Sequence, residues 1–180
     1  MPTTITGTDG VSQVQAGAVE QEDFASDALA FEGRLLHVRD EKGPTTNGGS
    51  SSVGDNTRDL NTVLTNEISG ATLSSNQITL PSGVYYISAS VPAYQSDRHR
   101  AFLYNVTDSS DELIGSSALA REVENHHNHS FIKGRFFISS SKTFEIRQYF
   151  QKQNSDVGYG ISTQDGRSTV YTEVEIWKVG

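Results

Sequence analysis

Between Gly83 and Tyr94 the chain reads GVYYISASVPAY, with an apolar residue at every second position. Tyr85, Ile87, Ala89 and Val91 share one face, while Tyr86, Ser88 and Ser90 share the other. Side chains alternate across a strand, so this is a strand with one face buried and one face free. The same two-residue period recurs downstream. RHRAFLYNVTD puts Phe102, Tyr104 and Val106 together, HSFIKGRFFIS puts Ile132, Phe136 and Ile138 together, and KTFEIRQYFQ does so with Phe144, Ile146 and Phe150. The closing segment STVYTEVEIWKV sets Val170, Val174 and Ile176 against Tyr171, Glu173, Glu175 and Trp177. RLLHVRDEK, RDLNTV, NEISGATLSSNQITL and ELIGSSAL add shorter strands, and GPTTNGGSSSVGDN reads as a long loop. Roughly ten short strands with turns between them and no long helix predict an all-β sandwich or jelly roll.

The chain divides into a segment 1–32 and a domain 33–180. The first segment is small and polar, and one short helix over Val19–Leu29 would carry a single narrow stripe of Phe24, Ala28 and Phe31. One stripe cannot build a core. Two readings stay open for it: a frayed leader, or an anchor (Val19, Phe24, Ala28, Phe31) that orders when it docks on a larger assembly.

Composition narrows the function classes. The net charge of −8 repels phosphate backbones, which argues against a nucleic-acid partner. No apolar run approaches the length of a membrane helix, so membrane insertion is not expected. There is no cysteine and hence no disulfide or thiolate site. The start MPTTITGTDG lacks the basic and apolar parts of a secretory signal, which suggests synthesis in a cytoplasm. Hydrophobic residues make up 34% of the chain, a lean core that association between copies would complete. The free face of the closing strand fits that idea. Tyr171 and Trp177 are large aromatics beside Glu173 and Glu175, and Tyr149 with Arg147 extends the set, Arg147 being placed to pair with one of those glutamates.

The proline–glycine turn into GVYYISASVPAY, then HRAFLYNVTDSSDELIGSS, then the closing VYTEVEIWKVG resemble the jelly roll shared by tumour necrosis factor and complement-type globular heads. The stretch from LLHVRDEKG to AFLYNVTD is also similar to bacteriophage tail-fibre and virion-surface proteins, as is the leader TGTDGVSQVQAGAVEQEDFASDALA. The resemblance spans about Arg34 to Gly180. It implies a ten-stranded jelly-roll homotrimer whose inner sheet, holding the first, third and closing strands, packs around a threefold axis. Tyr149, Arg147, Tyr171, Glu173, Glu175 and Trp177 would then line the interface. It further implies a virion protein made in the host cytoplasm, a fibre, spike or capsid-decoration module. Residues 1–32 would contact other virion proteins, and the head would face the host surface.

ENHHNHSFIKGRFFIS concentrates His126, His127 and His129. Strand alternation puts His127 and His129 on the face of Lys133 and Arg135, and His126 on the face of Ile132. Two imidazoles beside two cations make a poor metal site, and the resemblance places this strand in the outer sheet, away from the axis. No metal and no cofactor are expected. His127, His129, Lys133 and Arg135 instead read as a donor surface suited to an acidic or neutral cell-surface polysaccharide, the alternative being a plain solvated strand. Asp108, Asp111 and Glu112 lie in one turn rather than across a cleft, so turn chemistry accounts for them better than glycoside hydrolysis does. The sequence therefore reads as a non-enzyme. A virion-borne depolymerase or other hydrolase, and a secreted complement- or tumour-necrosis-factor-like ligand, are the alternatives.

Overall fold

The computed structural model describes residues 33–121, 123 and 125–180. Val19, Phe24, Ala28 and Phe31 lie outside the described residues. Among the described residues eleven strands follow one another: β1 (Arg34–Lys42), β2 (Gly54–Thr57), β3 (Thr62–Asn66), β4 (Thr72–Ser74), β5 (Gln77–Leu80), β6 (Gly83–Tyr94), β7 (Asp97–Asn105), β8 (Ser110–Ala120), β9 (His127–Ile138), β10 (Lys142–Phe150) and β11 (Thr169–Lys178). They form two antiparallel sheets. A five-stranded sheet runs β3-β1-β11-β6-β9, and a six-stranded sheet runs β4-β5-β10-β7-β8 with β2 pairing to β10. The first and closing strands are neighbours, with Leu36 opposite Ile176 and Val38 opposite Val174.

The alternating positions build the core between the sheets. Leu36 and Val38 from β1, Tyr85, Ile87, Ala89 and Val91 from β6, Ile132, Phe136 and Ile138 from β9, and Val174 and Ile176 from β11 are all buried. Ile78, Leu80, Ala101, Leu103, Phe144 and Ile146 meet them from the other sheet. Each large aliphatic or aromatic side chain buried this way contributes about 1.5–3 kcal/mol. Phe136 is at the centre: it stacks on Tyr85 at 5.5 Å and meets Phe144 edge-on at 5.5 Å.

Three expectations about the strands change. First, β2 lies in the stretch GPTTNGGSSSVGDN that reads as loop. It has no apolar alternation, and it is a strand because its backbone pairs with β10 through the register Arg147–Thr57 to Phe150–Gly54. Second, the inward face of β7 is Ala101, Leu103 and Asn105, not Phe102 and Tyr104. Phe102 is nevertheless buried on the outer face, between Arg147 of β10 and Ile114 of β8. Third, Val170 is exposed, whereas Thr172 takes the inward position next to Val174.

The two sheets are tied along one edge by hydroxyl groups. Ser130 on β9 accepts the Ala101 amide of β7 at 2.8 Å and donates to the Ser116 carbonyl of β8 at 2.6 Å. Ser116 Oγ accepts the Phe131 amide at 2.9 Å. Gly115 makes this approach possible, because a Cβ there would stand 2.6 Å from the Ala101 carbonyl and 2.7 Å from that of Phe131.

Candidate recognition face

Register places the outward side chains of the five-stranded sheet in rows. One row runs Leu35, Trp177, Tyr86, Arg135; the next His37, Glu175, Ser88, Lys133; the next Arg39, Glu173, Ser90, Phe131. Further along, His129 lies opposite Pro92 and His127 opposite Tyr94. Tyr86 is 41% exposed, Phe131 48% and Phe137 66%. Large aromatics thus stand beside charges of both signs on one sheet face. Single exposed apolar residues need no explanation; the continuous part of this face is the row Leu35, Trp177, Tyr86, with Phe137 two positions along β9 from the Arg135 that faces Tyr86.

Local contacts set the polar part of the face. His37 Nε2 lies 3.0 Å from Glu173 Oε1, and Arg39 holds Glu41 at 2.6 Å. A small hollow of ≈ 170 Å³ opens between Ser88, Ser90, Phe131, Lys133, Glu173 and Glu175. At the β9 end the rings form a ladder. Tyr94 meets His127 edge-on at 6.3 Å, His127 lies 5.1 Å from His129, and His129 stacks on Phe131 at 6.1 Å. His129 Nδ1 is 2.8 Å from Ser90 Oγ. Burial lowers the pKa of both imidazoles; the positive neighbours His129 and Arg58 add to this for His127, and Arg58 for His129. Among the described residues no three His, Asp or Glu side chains gather as a metal cluster.

The structure redistributes the residues singled out from sequence. β9 is not in the other sheet from β11; it is the edge strand of the same sheet, beside β6. His127, His129, Lys133 and Arg135 therefore share a face with Glu173, Glu175 and Trp177, and two sets that had been read apart become one surface. Tyr149 and Arg147 move the other way. They lie on β10 in the six-stranded sheet, where Arg147 bonds Glu145 at 2.8 Å and stacks over Tyr104 at 3.5 Å rather than pairing with a glutamate of β11. Tyr171 is only 3% exposed within the single chain. Its hydroxyl donates to the Thr46 carbonyl at 2.7 Å, and Gly160 packs so closely on its ring that a Cβ there would clash at 2.6 Å. That side chain is used inside its own chain. His126 precedes β9 instead of facing Ile132. Asp108 is committed to its turn, accepting from Asn105 Nδ2 at 3.0 Å and from Lys142 at 2.6 Å.

A buried polar network behind this face carried no sequence signal. Arg58 is fully enclosed; it donates to Thr172 Oγ1 (3.0 Å), Gln148 Oε1 (3.1 Å) and the Tyr159 carbonyl (3.1 Å), and its guanidinium lies 3.8 Å over the Tyr159 ring. Burial pushes its pKa down to about 10. Gln148 Nε2 lies 2.9 Å from His99 Nδ1, and burial, aided by Arg58, lowers His99 to about 4. Burial raises Asp40 to about 6 against the pull of Lys42, whose ammonium lies 3.7 Å away.

No family model and no curated protein matches the chain by sequence. Solved structures do match in fold. Murine APRIL superposes with a TM-score of 0.52 at 9% identity, over 81% of this chain and 98% of that one. An Eiger TNF from S. frugiperda gives 0.55 at 13% identity, over 82% and 92%. The globular domain of zebrafish complement 1qA protein gives 0.50 at 12%, over 82% and 97%.

Proposed function

We propose, from a two-sheet fold like that of tumour necrosis factor and complement globular heads, that the chain is a non-enzymatic recognition module that works as a homotrimer, with the outward face of the five-stranded sheet packed around the threefold axis. One observation carries the reading: Leu35, Trp177 and Tyr86 form a continuous apolar row across three adjacent strands, flanked by Glu173, Glu175, Lys133 and Arg135. Burying such a row between copies supplies the apolar area that a lean single-chain core lacks, and mixed charges around it fix the register. The like fold of the neighbours supports self-association of this kind.

Within that frame we propose that the module is a virion-surface head, the setting that the resemblance of LLHVRDEKG…AFLYNVTD to phage tail-fibre proteins implies, with residues 1–32 attaching it to other virion proteins. A second reading, a secreted ligand, rests on the neighbours themselves, two of which are a TNF and a complement head. A lysine scan tests the assembly. Trp177→Lys and Tyr86→Lys are expected to dissociate the oligomer with secondary structure retained, while Tyr149→Lys on the other sheet leaves it intact. Dissociation by Tyr149→Lys alone would overturn the assignment of the interface. Mass spectrometry of purified phage particles separates the two settings. Detection of the chain in the particle supports the virion reading, and its presence in free, processed form only supports the ligand.

A further inference from the structure

A hollow of ≈ 600 Å³ opens on the other sheet, lined by Arg98 and Arg100 of β7, Ser117 and Leu119 of β8, Tyr149 of β10 and Asn128 at the start of β9. We propose that this hollow binds a carboxylate-bearing sugar unit of an oligosaccharide. The proposal deepens the recognition role by naming its ligand class.

Charge is the first argument. Arg98 and Arg100 are both exposed and point from the same face of one strand, about 7 Å apart along it. Among the described residues neither guanidinium has an ion pair or side-chain hydrogen bond, whereas Arg39, Arg147 and Arg167 each hold a carboxylate. Two unpaired like charges side by side in a chain of net charge −8 repel each other. A carboxylate relieves that repulsion and matches the planar fork of guanidinium donors. The nearest acid in the row is Asp55, which lies beyond Tyr149 on β2 and does not line the hollow.

Shape and surroundings narrow the anion to a sugar. Tyr149 is directly opposite Arg100 across the β7–β10 ladder and is 43% exposed, so its ring offers a flat apolar wall next to the cations. Leu119 continues that wall, and Ser117 and Asn128 supply hydroxyl and amide partners for ring hydroxyls. The volume suits one or two pyranose rings. A second hollow of ≈ 440 Å³ adjoins it, sharing Arg98 and Leu119 and adding Asp97, Arg121 and Gln151. Asp97 makes that second position suited to a neutral sugar, so the pair accommodates an acidic unit followed by a neutral one. The walls are strands, not loops: the Arg98 carbonyl accepts the Gln151 amide at 2.9 Å, which keeps β7 and β10 in register beneath the hollow.

The test is calorimetric titration of the full chain with trigalacturonate, its methyl ester, sialyllactose, lactose and an Asp/Glu hexapeptide. Saturable binding of trigalacturonate or sialyllactose is expected, and comparing the two distinguishes a uronate from a sialic-acid source. The methyl ester and lactose are expected to bind at least tenfold more weakly, a comparison made on the unaltered protein. Arg100→Gln, Arg98→Gln and Tyr149→Ala should each weaken binding about tenfold with unchanged melting temperature, whereas Arg167→Gln, at an exposed arginine that holds Asp165 and lines neither hollow, should not. Equal binding of lactose, preference for the acidic peptide, no saturation by any sugar, or indifference to Arg100→Gln would overturn the proposal. The site lies within one chain. A monomer that binds acidic sugar refutes only the trimer, and a trimer that does not bind refutes only this site.

Discussion

Arg58 sits in the polar run DNTRDLN, with no apolar neighbour pattern to announce that it is buried. Only the assembled sandwich puts Thr172, Gln148 and Tyr159, each about 90 or more positions away, around its guanidinium. Removing it orphans those acceptors and leaves a void, so Arg58→Ala is expected to cost about 3 kcal/mol or more in urea unfolding. Asp40 and His99 act oppositely on pH. Asp40 rises from 3.8 to about 6, so its protonated form is favoured by folding; that contribution is full below pH 3.8 and is lost as pH climbs through 6. His99 falls from 6.5 to about 4, so its neutral form is favoured; that contribution is full above pH 6.5 and is lost as pH drops toward 4. Each is worth on the order of 2–3 kcal/mol, and in the native chain they oppose each other between pH 4 and 6. Relative to the native chain, Asp40→Asn should gain stability as pH rises from 4 to 6, and His99→Gln should gain it as pH falls from 6.5 to 4. Denaturant midpoints taken at pH 4, 5, 6 and 7 check both slopes, and parallel curves would contradict them.

Among the elements, long strands were legible and edges were not. Tyr85, Ile87, Ala89 and Val91 on β6 and Ile132, Phe136 and Ile138 on β9 alternate cleanly because each strand has a dry side and a wet side. β7 misled because around Phe102 both its faces are covered, which removes the contrast that alternation depends on: Phe102 is buried outward and Leu103 inward. β2 could not be read at all, since backbone pairing to β10 places no demand on its side chains. The assignment of β9 to a sheet was likewise beyond a single sequence, because periodicity reports which residues share a face but not which strand lies alongside. The hydroxyl staple between β8 and β9 shows how specific such edges are. Ser130→Ala leaves the buried Ala101 amide without its partner and should cost about 1–3 kcal/mol. Gly115→Ala should cost more, since its Cβ would meet two backbone carbonyls that cannot step aside. Thermal unfolding of both variants measures the difference, and a neutral Gly115→Ala would refute the close approach.

For the whole molecule, the two-sheet jelly roll was accessible from strand count, turn spacing and the absence of a long helix, and the solved structures agree with it. The candidate surface was half accessible. Trp177, Glu173 and Glu175 could be found as misplaced aromatics and charges on a free face. Tyr149 could not be separated from them, because which sheet a strand joins is decided by tertiary pairing. Nor could Tyr171 be recognised as capped, because the cover comes from Gly160 and Thr46 in distant loops. The proposed homotrimer would cover the row Leu35, Trp177, Tyr86 between copies. Light scattering on the full chain at micromolar concentration tests this most directly. A mass three times 19.6 kDa, unchanged on dilution, is the predicted result. A stable species of 19.6 kDa at every concentration would contradict the account.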